Sequence, residues 1–357
     1  MLTVRAVRAV PVEVPMKRPL GTSAAAVPSA PLLLVDLQTE EGVIGRSYLF
    51  CYLRAAAPGI SAMLGEIERL TKGARIEPAK LWSALAKRFT LIGVQGVVRM
   101  AMSAFDIACW DALAAAKGEP LATLLGGAPK PVRAYNSSGL GLQHSPESAA
   151  DEAEELLESG FTGVKLRLGH PTVDEDLNVV RAVRKRLPDA VKLMVDYNQA
   201  LTRDEAIVRG RALDGEGVHW LEEPIRHDDW RGCAEVARAV KTPVQIGENF
   251  SLPHQMEEAI ANRACDLVMP DVERIGGVTG WMRAAAIAQA HRMEMSSHLA
   301  PEVSAHLLAV TPTRGWLEYV DWADAILAEP LRIEDGHAIP PRRMAWNDDA
   351  VGRYRIG

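Results

Sequence analysis

The 357-residue chain is poor in cysteine, in aromatic side chains and in net charge. Its four cysteines, Cys51, Cys109, Cys233 and Cys265, lie far apart, with no CxxC pair and no Cys/His ligand spacing. That excludes a disulfide framework or a zinc site and leaves them as small apolar fillers. Phe, Tyr and Trp make up 5% of the residues and are not interleaved with basic side chains, so no base-stacking surface is drawn. Forty Lys and Arg against 46 Asp and Glu give a formal charge of −6, which makes nucleic acid a poor partner. No apolar run is long enough to span a bilayer, so no membrane partner is expected either. The N-terminal MLTVRAVRAVPVEVPMKR lacks the apolar core and small-residue cleavage site of a secretory signal, and the chain reads as cytoplasmic. A dinucleotide glycine fingerprint and the lysine and spacing of a P-loop are missing as well.

What is present is a chain with 48% hydrophobic and 24% charged residues, compact and too long for one small core. Strands are expected over Val4 to Val14, Leu32 to Leu37 and Val43 to Phe50, with Glu40-Glu41-Gly42 turning the last pair. Helical spacing follows in Ala56 to Leu70, Lys80 to Phe89 and Val97 to Ala115, stopping before Gly118. Residues 1–125 therefore read as an α+β domain. From Pro131 short apolar strands each precede a helical stretch, beginning at Val132, Gly163, Lys192, Trp220, Val244, Asp266, Met293 and Trp316. Eight polar positions in or at the ends of them, Ser137, Lys165, Asp196, Glu222, Glu248, Asp271, His298 and Glu318, recur every 20 to 31 residues. This suits eight βα units closing into an α/β barrel over residues 126–325, with a doubly wound open sheet as the alternative. Residues 326–357, ending on Tyr354 and Ile356, are expected to pack back on the first domain.

Asp196 in MVDYNQ, Glu222 in WLEEP and Glu248 in QIGEN each follow an apolar strand core. Carboxylates at the end of a packed strand are costly unless paired or bound to a cation, and three oxygen donors suit a hard divalent ion such as Mg2+. Rim salt bridges or helix caps are the plainer explanation. Glu223 is one strand position from Glu222, so only one of the two should face the barrel axis. Lys165 and Arg167 in GVKLRLG are two apart and share a strand face. Lys165 could hold a carboxylate or take a proton, whereas Arg167 is a fixed cation and a poor base; both could simply balance the acids. His298 in EMSSHLAPE and Asp271 in DLVMPD sit on adjacent strands, where Asp271 would orient the imidazole as a general base. Glu318 is a possible acid toward a substrate carboxylate, or a rim salt bridge. Ser137 in AYNSSG could donate to a negative oxygen, although such a cluster commonly makes a turn. Trp110, Trp220, Trp281 and Trp316 read as core filling.

Taken in order, VDYNQ, EEP, GEN, PD with RIGGVTGW, SSH and WLE resemble the mandelate racemase branch of the enolase superfamily over almost the whole chain. The resemblance implies an N-terminal α+β capping domain, a modified TIM barrel of (β/α)7β form, and a homo-oligomer. It implies Mg2+ on Asp196, Glu222 and Glu248, a His298 and Asp271 base pair, Glu318 supporting an enolate, and Ser137 near the substrate carboxylate. Lys165 matches the first lysine of the family's KxK strand motif, and Arg167 replaces the second, which normally serves as a base opposite the histidine. The loop Gly21 to Val27, GTSAAAV, falls where the resemblance places a flap over the substrate, with Thr22 and Val27 as substrate contacts.

The resulting expectation is Mg2+-assisted removal of the proton α to the carboxylate of a small substrate. The resemblance favours racemisation or epimerisation of a 2-hydroxy acid, and the apolar flap agrees with a compact substrate. Arg167 points instead toward one-base chemistry, such as dehydration of an acid sugar to a 2-keto-3-deoxy acid. A non-catalytic binding protein is the remaining alternative.

Overall fold

The computed structural model of the protein describes residues 1–23 and 25–356. Its first sheet has the order β1 (Val4–Gly21), β2 (Ala26–Thr39) and β3 (Ile44–Phe50), antiparallel throughout. Pro11 and Pro15 are tolerated in β1 because it is an edge strand. The period of two along a strand divides this sheet into two buried faces. Leu33, Val35, Leu37 and Leu49 pack on α1 (Ala56–Thr71), α2 (Pro78–Arg88) and α3 (Gly96–Lys117). Leu32, Leu34, Tyr48 and Phe50 belong instead to the large core shared with the barrel. α3 stops at Gly118, whose left-handed φ of 69° suits glycine, and the short α4 (Leu121–Leu124) follows.

The barrel runs β4 (Val132–Asn136), α5 (Pro146–Glu155), β5 (Gly163–Arg167), α6 (Val173–Arg186), β6 (Lys192–Asp196), α7 (Arg203–Leu213), β7 (Val218–Glu222) and α8 (Trp230–Ala239). It continues through β8 (Val244–Ile246), α9 (Pro253–Ala261), β9 (Leu267–Val268), α10 (Val272–Ile275), α11 (Gly277–His291), α12 (Pro301–Val310) and β10 (Leu317–Tyr319). Neighbouring strands from β4 to β9 pair in parallel, and β10 returns to pair with β4. That closure removes the open-sheet alternative and gives a (β/α)7β barrel under a capping domain.

The stretch from Met293 to His298, expected as a strand, holds its place by single bridges: Met295 to Val268 and to Arg314, and His298 to Asp271. Its serines explain the broken ladder. Ser296 Oγ accepts the Trp316 N–H and Ser297 Oγ accepts the Glu318 N–H, so hydroxyls stand where backbone carbonyls would. Inside the barrel, Tyr135, Met194, Trp220 and Trp316 form a separate buried cluster.

The final segment does not go straight to the cap. β11 (Arg332–Glu334) and β12 (His337–Ile339) first add an antiparallel hairpin to β4. Trp346 Nε1 then donates to Asp36 Oδ1 at 2.8 Å, and beyond α13 (Asp348–Tyr354) the Ile356 N–H reaches Pro11 O on β1.

Candidate active site

Parallel register sets strand ends side by side: Arg167 opposite Asp196, and Asp196 opposite Glu222. Glu248 lies two residues beyond β8. The buried carboxylates of Asp196, Glu222 and Glu248 offer oxygens within 4.8 Å of one another. Glu223 is turned out of this group by a left-handed φ of 39°, and its carboxylate accepts the Gly247 N–H and an Asn249 amide hydrogen. Lys165 Nζ enters the acidic cluster from β5, 2.5 Å from Glu222, 2.7 Å from Glu318 and 3.5 Å from Asp196.

One ammonium shared among several buried carboxylates leaves negative charge in excess. Burial, opposed by Lys165 but aided by Asp196, Glu318 and Glu248, pushes Glu222 up to about 8. A divalent cation relieves that crowding, and the all-oxygen donor set fits Mg2+. Two buried polar atoms beside the cluster lack partners, Asn198 Oδ1 and Arg167 Nε.

The imidazole of His298 meets Asp271 Oδ2 through Nδ1 at 2.7 Å. The other Asp271 oxygen accepts the Glu273 N–H at 2.6 Å as the cap of α10, so the carboxylate is held from both ends. His298 Nε2 lies 3.2 Å from Glu248 and 3.8 Å from Glu318. Burial pulls the imidazole down, but Glu248, Glu318 and Asp271 together push it up to about 9. Burial would raise Glu318, yet Lys165 and His298 hold it well below the carboxylate range. Glu318 is thus an anion here, with Lys165 as its partner.

Arg167 is buried but turned aside. Its Nη1 donates to Gly139 O at 2.6 Å and to Ser137 O at 3.2 Å, and its Nη2 donates to Ser137 Oγ at 3.0 Å. Ser137, expected near a substrate oxygen, spends its hydroxyl acceptor on this guanidinium. In the flap, Thr22 bonds with Ala25 inside its own turn, and Val27 is half-buried against the core. Ser23, which sequence reading passed over, reaches the barrel rim by donating to Tyr197 O at 3.1 Å. Ala24 in the same loop lies outside the described residues.

The mandelate racemase/muconate lactonizing enzyme N-terminal domain matches over residues 4–126, and the enolase C-terminal domain-like family matches over residues 148–344. The chain belongs to the mandelate racemase/muconate lactonizing enzyme family. It is similar to the L-talarate/galactarate dehydratase of Salmonella typhimurium, 34% identical over 85% of this chain and 77% of that protein. Among solved structures, an enolase from the alpha proteobacterium bal199 with bound magnesium superposes with a TM-score of 0.97 at 43% identity, covering all of both chains. An enolase from Bradyrhizobium complexed with magnesium and mandelic acid gives 0.94 at 40% identity, over 100% of this chain and 99% of that one.

Within this family frame, the structure brings together Lys165, Asp196, Glu222, Glu248, Asp271, His298 and Glu318, and sets Arg167 with Ser137 on the adjoining loop. Sequence reading missed the residues that hold the acids. Asn198 donates to both Asp196 oxygens, from its N–H at 2.8 Å and its side chain at 2.9 Å. Trp220, read as core filling, donates from its indole to Glu222 Oε2 at 2.9 Å. Two signals could have found them: Asn two residues after an aspartate, and a strand tryptophan two residues before a glutamate, on the same face. A small void of about 10 Å3 adjoins the His298 loop, with Phe50, Leu299 and Trp322 beside Tyr48 and Glu273 in its wall.

Proposed function

We propose that this protein removes the α-proton of a small carboxylate substrate with His298, with Mg2+ on Asp196, Glu222 and Glu248, and completes the reaction from the same side. The overall reaction best supported is dehydration of a 2,3-dihydroxy acid to a 2-keto-3-deoxy acid. The observation that carries this reading is the fixed guanidinium of Arg167, bonded to Ser137 and Gly139. Arginine stays protonated at any working pH, so the β5 wall offers no neutral base there. Lys165, held charged by Glu222 and Glu318 against the pull of burial, offers none either.

In this account Lys165 passes from Glu318 to the incoming substrate carboxylate. Losing that cation lifts the Glu318 carboxyl so that it takes up a proton from solvent as substrate enters, and the protonated carboxyl then donates a hydrogen bond to the enolate as the α-proton moves to His298 Nε2. Mg2+, when bound, supplies positive charge to the carboxylate oxygens on which negative charge grows. His298 then returns its proton to the departing β-hydroxyl, which leaves as water, and the enol becomes the 2-keto acid. Residues 1–125 cover the site in this reading, 126–325 carry it, and 326–357 bind the two together. The exposed Leu53, Leu91 and Ile92 are apolar surface that assembly into a homo-oligomer would cover.

A second reading is favoured by the mandelic acid held by the Bradyrhizobium relative. It has the same proton abstraction acting on a compact 2-hydroxy acid, with racemisation as the outcome. Incubating sugar acids and 2-hydroxy acids in D2O with Mg2+ separates the two. Formation of 2-keto acid supports dehydration; loss of optical rotation without it supports racemisation. Absence of Mg2+ binding by the folded protein would leave a binding protein and remove both.

A further inference from the structure

Besides the packing of α3 on α10 and of Tyr52 under Arg274, β3 of the cap makes two hydrogen-bonded contacts with the loops of the base pair. Tyr48 Oη donates to Glu302 Oε2 at 2.6 Å, and the Phe50 N–H is shared by both Glu273 oxygens at 3.1 Å. Glu273 lies two residues after Asp271 and donates its own N–H to that carboxylate. Glu302 stands four residues after His298, in the first turn of α12. One strand of the cap therefore grips the segment behind each member of the pair.

The segment between His298 and Glu302 needs holding. Leu299 and Ala300 are consecutive non-glycine residues in left-handed conformation, with φ of 48° and 42°. Such backbone is unfavourable for residues with a Cβ and persists only where its surroundings impose it. On the barrel side the Leu299 N–H donates to Glu318 Oε2, and Ser304 Oγ donates to Leu299 O. On the cap side the anchor is Tyr48 on Glu302. Burying the Glu302 and Glu273 carboxyls, 3% and 0% exposed, is itself unfavourable, and apolar residues would pack the same interface at less cost. Their gain is a fixed direction.

We propose that Tyr48 and Glu302, together with the Phe50 N–H and Glu273, are positioning residues for proton transfer: docking of β3 fixes the two loops so that His298 and Asp271 keep their hydrogen bond and His298 Nε2 stays aimed into the site. The inference rests on the reading of His298 as the base and deepens it. Chemistry near a strained turn is sensitive to displacements well under a bond length, so the clamp acts on turnover rather than on substrate affinity.

The test is Tyr48→Phe, which keeps the ring and removes the anchor, with Glu302→Gln as the conservative partner that still accepts from Tyr48. With Mg2+ present, Tyr48→Phe lowers kcat for α-deuterium exchange about tenfold with KM within about twofold, and Glu302→Gln retains most of the wild-type rate. Independently of any substrate, the Nδ1–H proton resonance of His298, assigned by its loss in His298→Asn, shifts upfield or broadens in Tyr48→Phe. A lower Tm with kcat and that resonance unchanged would make the contact purely structural and overturn the proposal. If the wild-type protein exchanges no substrate proton, the base assignment fails, and the resonance alone still decides whether the clamp orients His298. Should Tyr48→Phe not fold, Glu302→Leu carries the same expectations.

Discussion

On one wall of the site, His298 is held by Asp271 at 2.7 Å and turns its free nitrogen toward Glu248 and Glu318. On the opposite wall, β5 presents Lys165 among carboxylates and Arg167 bonded to backbone oxygens and a serine. Both walls are buried and cationic, yet they differ in what they can do with a proton. An imidazole has a neutral form within reach of working pH; a guanidinium has none, and an ammonium buried among acids is held charged. Under the proposed function the family fold is complete while two-sided proton exchange is not, because the difference lies in one side chain and its partners.

The largest effect expected is on the His298 wall. His298→Asn keeps size and some hydrogen bonding but removes the base, and α-deuterium exchange in D2O should fall by about 10^3-fold or more. Exchange that survives would move the base role elsewhere. Chelating the metal, or replacing Glu222 by Gln, should cost about 10^2-fold to 10^3-fold in the same assay, with weaker Mg2+ binding by calorimetry for the variant. Undiminished exchange in EDTA would contradict the metal assignment. The pH profile comes next. Only neutral imidazole accepts a proton, so with His298 pushed up to about 9 in the metal-free protein, the rate should fall about tenfold per unit below its midpoint. Mg2+ on Glu248 neutralises one of the anions that raise it, so the midpoint should move down on loading, as NMR titration of the ring would show. The smallest effect is a gain: Arg167→Lys puts a titratable group on the β5 wall, and inversion should appear at roughly a tenth of the exchange rate or less. No inversion in that folded variant would mean that the geometry of the wall, and not its charge, sets the limit.

Several barrel strands were legible because an apolar run gives way to an acid: Asp196 closes β6, Glu222 closes β7, and Glu248 follows β8 by two residues, which marked both the strands and the candidate site. The stretch from Met293 to His298 read as a strand because apolar pattern is blind to hydroxyls that replace ladder carbonyls, as Ser296 and Ser297 do. Arg167 could be recognised as a poor base from its type alone. That it turns to Ser137 and Gly139 could not, since those bonds depend on how the loop after β4 folds over β5. Ties across long sequence separations were equally hidden: nothing near Tyr48 in the chain signals Glu302, and nothing near Phe50 signals Glu273.

The central claim is one-sided proton exchange, and a 2-hydroxy acid with no β-leaving group tests it most directly. A single enantiomer of mandelate incubated in D2O with the Mg2+-loaded protein is followed by proton NMR and chiral chromatography together. The account predicts that an accepted enantiomer gains deuterium at the α-carbon and keeps its configuration. Accumulation of the opposite enantiomer at a rate comparable to exchange would contradict it.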